Sequence, residues 1–199
     1  MTGLSKFLLF AFIAVVFVLG SLWLVGGKPR DYVAEVLIDS QPADVFPFLY
    51  EPALRKKWVD GLRESKLQTD PPIQLESVFL SKIERADSSF EAEETIIRFD
   101  DQEMVVIRSN TPAALVTLVV RIEKAGDKTR VSYSVNEVLH GITRFQAAIG
   151  KSTRQDQINQ EILALKQAVE TRPNRSSMLD DLDLLGDDDK SVDDGDDDE

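Results

Sequence analysis

Hydrophobic and polar residues alternate differently in successive parts of this 199-residue chain. Residues 7–25, FLLFAFIAVVFVLGSLWLV, carry no charge over nineteen positions. At about 1.5 Å per residue, a helix of that length spans roughly 28 Å, close to the hydrocarbon thickness of a bilayer. The segment is apolar on every side, which predicts a membrane anchor rather than an amphipathic core helix. A cleaved secretory signal is the competing reading. Such signals have an apolar stretch of about 7 to 15 residues before a small-residue cleavage site, whereas VGGKPR follows here.

From Asp31 the period becomes two: Tyr32, Ala34, Val36 and Ile38 share one face of a strand. The stretch DSQPADVFPFLYEPALRKKWVDGL then interrupts the sheet pattern. Pro42 suits a first helical turn behind Ser40 or Gln41, and Val45, Phe46, Leu49 and Tyr50 recur at three- and four-residue spacing. A second short helix is expected from Pro52, with Leu54 and Trp58 four apart and Gly61 ending it. Six further strands are expected at 62–69, 77–85, 90–99, 103–109, 115–124 and 130–139, separated by the turn-rich DPPIQ, ADSS, DDQ, NTPAA and AGDK. After Gly141 the period returns to helical. Ile142, Phe145, Ile149, Ile158, Ile162, Leu165 and Val169 form one apolar stripe up to Pro173, so one long helix is expected, bent near Gly150.

These elements predict an α+β fold: a curved seven-stranded antiparallel sheet wrapped on a long C-terminal helix, with two short helices after strand 1 and one transmembrane helix in front. The sheet has an apolar face that must be covered, and the terminal helix is the element available to cover it. The short helices then close one end of the half-barrel. A sheet wrapped on a helix at this size is expected to enclose a ligand cavity.

The order strand, two short helices, six strands, long helix, together with PADVFPFLYEPALRKKWVDG, resembles the START-like superfamily (SRPBCC, polyketide cyclase/dehydrase, Bet v 1-like), whose helix-grip fold has this layout. Pro42, Val45, Phe46 and Leu49 match the first part of its A-P-x-x-V-F-x-x-L and D-P-x-x-x-x-W-x-x-G pattern, and Pro52, Trp58 and Gly61 match the second. Glu51 stands where the pattern has Asp. The resemblance covers residues 31–171 and bears on fold, not on ligand. The expected organisation is an anchor and linker at 1–30, a START-like domain at 31–173 and a disordered acidic tail at 174–199.

Charge supports that division. Residues 180–199 hold twelve acidic side chains and one lysine, so the tail supplies -11 of the formal charge of -12 and the remainder only -1. Such a block of like charge repels itself and buries too little apolar surface to fold. Its head, SSMLDDLDLL, sets leucines among aspartates in a way that suits a protein-interaction motif, although a solubilising tail is the plainer reading. Lys6 on one side of the span and Lys28 and Arg30 on the other nearly balance, which marks orientation weakly. A lone N-terminal span with a short head places the soluble domain on the non-cytoplasmic side of a single-pass membrane protein.

Catalytic signatures are sparse. The chain has no cysteine, hence no disulfide or thiolate chemistry, and its single histidine, His140, cannot anchor a familiar zinc set. No G-x-S-x-G elbow occurs. Gly150-Lys151-Ser152 lacks the first glycine of a phosphate loop, because position 145 is phenylalanine. Asn174-Arg175-Ser176 is a formal glycosylation sequon. No catalytic residue, metal, cofactor or nucleic-acid partner is assigned.

Alternation on the strands is more informative. If Phe90 and Ile96 face inward, so do Glu94 and Arg98; Arg108 would accompany Met104 and Val106, and Glu137 would accompany Val131, Tyr133 and Val135. A buried ion needs a partner, so these acids and arginines would form a polar spot in an apolar cavity. In the opposite register they lie on the solvent face, as Ile97 and Phe99 argue. Phe46, Leu49, Trp58, Tyr133, Phe145 and Ile149 complete the expected cavity lining.

The leading expectation is a membrane-tethered START-like module that binds or carries a hydrophobic small molecule such as a lipid, quinone or polyketide-like compound. A cyclase or dehydratase working through cavity acids and arginines is the enzymatic alternative. A scaffold acting through the acidic tail is a third. Ligand identity and oligomeric state are not encoded in any motif found.

Overall fold

The computed structural model describes residues 3–85, 88–149 and 153–171. It opens with helix α1 (Gly3–Gly26), whose segment Lys6–Gly26 is long and apolar enough to cross a membrane by length and composition. Strand β1 (Arg30–Ile38) follows, then α2 (Pro42–Val45), α3 (Pro47–Tyr50) and α4 (Pro52–Arg55). Next come β2 (Leu62–Leu67), β3 (Val78–Arg85), β4 (Ser88–Asp100), β5 (Met104–Asn110), β6 (Ala114–Ala125) and β7 (Lys128–Leu139). Helices α5 (Thr143–Ile149) and α6 (Arg154–Glu170) close the described chain.

All seven strands join one antiparallel sheet in the order β1-β7-β6-β5-β4-β3-β2. Each hairpin pairs consecutive strands, so the turn-rich segments of the sequence account for β2 through β7, and only β1 travels to pair with the last strand. The short helices fill that journey. Three single turns stand where two helices were expected, because Pro47 has no N–H to continue α2 and instead starts α3, with Phe46 serving as C-cap of one and N-cap of the next. Val45, Phe46, Phe48 and Leu49 from these turns are buried in the main apolar cluster.

The expected single terminal helix is described as two pieces, α5 and α6, with residues 150–152 outside the described set. Helix α6 turns Ile158, Glu161, Ile162, Leu165 and Val169 inward. The same helix guards the free edge of β1. Gln155 Nε2 donates to the Val33 carbonyl at 2.9 Å, Lys166 Nζ donates to the Leu37 carbonyl at 2.7 Å, and Glu170 accepts from the Asp39 amide at 2.8 Å. Side chains of α6 thereby satisfy main-chain groups that an unpaired edge strand would present to other chains. Helix α5 packs instead on the C-terminal end of α1, where Trp23 and Phe145 meet with ring centroids 5.5 Å apart. The acidic tail, its SSMLDDLDLL head and the Asn174 sequon lie outside the described residues.

Candidate functional site

Inside the grip, apolar packing is interrupted by a seam of ion pairs and hydrogen bonds. Its first half joins α4 to the sheet. Arg55 ends α4, one turn before Trp58, and both side chains turn inward. Opposite them, Ser81 on β3 and Glu94 on β4 occupy inward positions beside Phe79, Ala92 and Ile96. Arg55 is 1% exposed and Glu94 6%, and the two form a two-pronged pair, Nη1 to Oε2 at 2.9 Å and Nη2 to Oε1 at 3.0 Å. The Ser81 hydroxyl donates to Glu94 Oε2 at 2.5 Å, with the Ser65 hydroxyl 2.9 Å from it. Such bidentate charge-assisted geometry is the arrangement that offsets the desolvation of a buried pair.

The second half joins β7 to α6. Tyr133 donates its hydroxyl proton to Glu161 Oε2 at 2.7 Å, and Arg154 Nη1 lies 3.8 Å from Glu161 Oε1. Trp58 stands beside the two halves: its ring meets Tyr133 edge-on at 5.7 Å, and its Nε1 donates to the Phe48 carbonyl at 2.8 Å. Gly61 then releases the chain into β2 at φ +74°, where a Cβ would come within 2.5 Å of the Glu84 carbonyl oxygen. A side chain there would push apart the turn that holds Arg55 and Trp58 against the sheet.

Electrostatics follow from this geometry. Burial pushes the Glu94 carboxyl up, but the Arg55 charge and the hydrogen bonds from Arg55 and Ser81 outweigh it and hold Glu94 below the ordinary carboxylate value. Burial also works against the Arg55 charge, and Glu94 more than restores it. Tyr133 is raised well above an ordinary tyrosine by burial and by the Glu161 carboxylate. Glu94 is therefore a poor proton acceptor near neutral pH, and Tyr133 stays a hydrogen-bond donor. The seam is better suited to holding a polar group than to moving protons. Its unused capacity includes Arg55 Nε, buried without a hydrogen-bond partner among the described residues.

Several expected lining residues stand in or beside this interior. Phe46, Leu49, Trp58, Glu94, Ile96 and Tyr133 are buried, and Phe90 is half-buried. Others do not. Arg98 is exposed and pairs with Asp100 at 2.7 Å, because a bulge between Ile96 and Arg98 reverses the alternation of β4 and brings Phe99 inward in its place. Arg108 is also exposed, since Val105 and Ile107, not Met104 and Val106, belong to the core face of β5. Glu137 is half-buried and in register with Arg30 and Val116. Phe145 packs on Trp23 of α1, and the side chain of Ile149 lies outside the described set.

Sequence reasoning missed Arg55, Ser81, Glu161 and Arg154. The signals for two of them were present. Arg55 lies three residues before Trp58, on the same side of the chain, and Glu161 falls inside the stripe Ile158, Ile162, Leu165 at the i+3 position.

Phe46, Phe48, Leu49, Phe79 and Ile158 join Trp58 in one apolar cluster, each nearly or wholly buried. A recess of about 850 Å³ opens at the surface beside the seam. Lys56, Gly61 and Leu62 line it from the α4–β2 turn, Arg85 from β3 and Gln157 from the first turn of α6. Arg154 Nη1 reaches Gln157 Oε1 at 3.4 Å, which links the recess to the Glu161–Tyr133 half of the seam. A second recess of about 710 Å³, where Arg98 lies, runs along the β4–β5 turn and β6.

No family model matches the sequence, and no curated protein matches it. Solved structures do match in fold. TTHA0849 from Thermus thermophilus has 13% identity and a TM-score of 0.56, with 73% of this chain and 100% of that one covered. The major latex-like protein 151 of Panax ginseng has 14% identity and a TM-score of 0.56, covering 72% of this chain and 97% of that one. Ara h 8.0201 has 12% identity and a TM-score of 0.54, covering 72% and 96%. At these identities the likeness is one of fold, and the chain has the Bet v 1-like helix-grip fold.

Proposed function

We propose that this helix-grip domain binds a hydrophobic small molecule with a polar head, and that α1 anchors it beside the membrane from which such a molecule partitions. The observation that carries the reading is the Arg55–Glu94–Ser81 cluster, with Arg55 Nε buried beside an apolar cluster and without a hydrogen-bond partner among the described residues. An isolated buried donor costs about 1–3 kcal/mol, and a bound carbonyl or hydroxyl would recover it. Polar groups few in number and set among apolar side chains are the usual lining of small-molecule sites. The recess at Gly61, Arg85 and Gln157 supplies the approach, and a lipid, quinone or polyketide-like compound has the matching chemistry.

Helix α1 supports the anchoring half of the reading. Its side chains Phe10 and Phe17 are 71% and 74% exposed, an apolar surface that water does not tolerate over such a length. Residues 27–29 are all that separate it from β1, so at roughly 3.5 Å per residue the linker spans no more than about 10 Å. A tether of that reach concentrates the domain at the bilayer without any added contact. Domain limits of 1–30, 31–173 and 174–199 fit this arrangement. Native mass spectrometry of the full chain released from detergent micelles tests it. A lipophilic adduct of constant mass is expected, and adduct-free protein under conditions that preserve the fold would refute it.

A further inference from the structure

The contact between α1 and α5 is closer than a tether requires. A Cβ built on Gly26 would lie 1.9 Å from the Arg144 carbonyl oxygen, so the two backbones meet where only glycine fits. Around that crossing the Arg144 guanidinium sits 4.7 Å from the centre of the Trp23 ring, and its Nε donates to the Leu139 carbonyl at 2.9 Å. Arg30 Nη2 donates to the Ala147 carbonyl at 2.7 Å. The end of the apolar helix is therefore clamped along α5. Just ahead of α5 and two residues before Arg144, Ile142 is 73% exposed.

The basic side chains at this crossing are Lys28, which is exposed, and Arg30 and Arg144, which are half-buried; Glu137 stands in register with Arg30 on β7. A tryptophan at the end of an apolar helix, bases beside it and an exposed isoleucine two residues from the crossing are the composition of a membrane–water boundary.

We propose that the Ile142–α5 segment is a second membrane contact, lying in the interface of an anionic leaflet, with Ile142 among the acyl chains and the surrounding bases at headgroup level. This rests on the anchoring role of α1. It adds that the domain is held at a fixed tilt rather than swinging on a linker, because the α1–α5 clamp and the Ile142 contact act together.

The chain contains no cysteine, so single labels are readily placed. Full-length Ile142→Cys, Phe17→Cys and Leu75→Cys each carry an environment-sensitive fluorophore and are reconstituted into phosphatidylcholine vesicles with or without phosphatidylglycerol. Quenching by nitroxide lipids labelled near the headgroup is then measured. The Leu75 site, 53% exposed on the β2–β3 connection, reports a solvent position. An interfacial segment buried about 5–10 Å deep predicts quenching at Ile142→Cys at least about threefold above Leu75→Cys, increasing with phosphatidylglycerol. Phe17→Cys quenched by deep-labelled lipids while Ile142→Cys behaves like Leu75→Cys would overturn the second contact and leave the anchor standing. Phe17→Cys unquenched at every depth would overturn both.

Discussion

Replacing Arg55 by methionine keeps most of the side-chain volume and removes one charge from a pair that water does not reach, Arg55 being 1% and Glu94 6% exposed. Glu94 is left with the Ser81 hydroxyl as its remaining partner in the cluster. Breaking a buried pair in this way costs about 3–5 kcal/mol. The carboxyl can escape part of that cost by taking up a proton, and the direction of the resulting pH dependence is diagnostic. In the wild type the Glu94 pKa is depressed, so its contribution is complete above the ordinary carboxylate range and is lost as pH falls below it. In Arg55→Met burial is left largely unopposed and raises the folded pKa instead, so stability is lost as pH climbs above the ordinary carboxylate value of about 4.3 until the folded pKa is passed, at up to about 1.4 kcal/mol per pH unit. The double variant Arg55→Met/Glu94→Leu carries no unpaired charge and should return to within about 2 kcal/mol of wild type. Urea unfolding of the full chain in micelles, followed by Trp58 fluorescence in a Trp23→Phe background, measures all three. Arg55→Met costing less than about 1 kcal/mol, or an equal loss within the ordinary carboxylate range near pH 4 and well above it near pH 7, would refute the reasoning.

Two further perturbations probe the rest of the structure. Tyr133→Phe should cost about 1–3 kcal/mol by removing the hydrogen bond to the buried Glu161 carboxylate; because the Tyr133 pKa is raised, its contribution is present below the ordinary tyrosine range and lost above it, so the variant should also flatten the alkaline limb of a stability–pH profile. Gly26→Leu places side-chain atoms where the Arg144 carbonyl lies, and amide hydrogen exchange should accelerate in α5 while β7 stays protected; unchanged α5 exchange would mean that the helices do not cross so closely.

The sheet could be read in the sequence because its determinants are local. Alternation and turn chemistry at DPPIQ, NTPAA and AGDK act within a few residues, and β2 through β6 pair only with strands next to them in sequence. The charged interior was legible only in part, for three different reasons. Glu94 followed from parity, but the bulge after Ile96 reversed that parity before Arg98. On β5 four successive buried residues, Met104 to Ile107, erase the alternation that would have placed Arg108 outside. Arg55 sits in the basic run RKK, which reads as a solvated face; its burial is decided by an acid on a strand 39 positions away. Pro47 carried a plain local signal for a third short helix, yet the apolar spacing across it suggested continuity. The close approach of α1 and α5 has no local signature except Gly26 itself.

The most direct measurement of the central claim compares what two purified chains carry. The full-length protein and its Arg55→Met/Glu94→Leu variant are extracted with organic solvent, and the lipophilic compounds recovered per mole of chain are quantified by mass spectrometry. The account predicts one dominant compound with a polar head in the wild type, at close to one per chain, and at least about tenfold less in the variant, as expected when the polar contacts of a small-molecule site are lost. Equal loading of the two proteins, or a wild type that carries nothing beyond bulk membrane lipid, would contradict it.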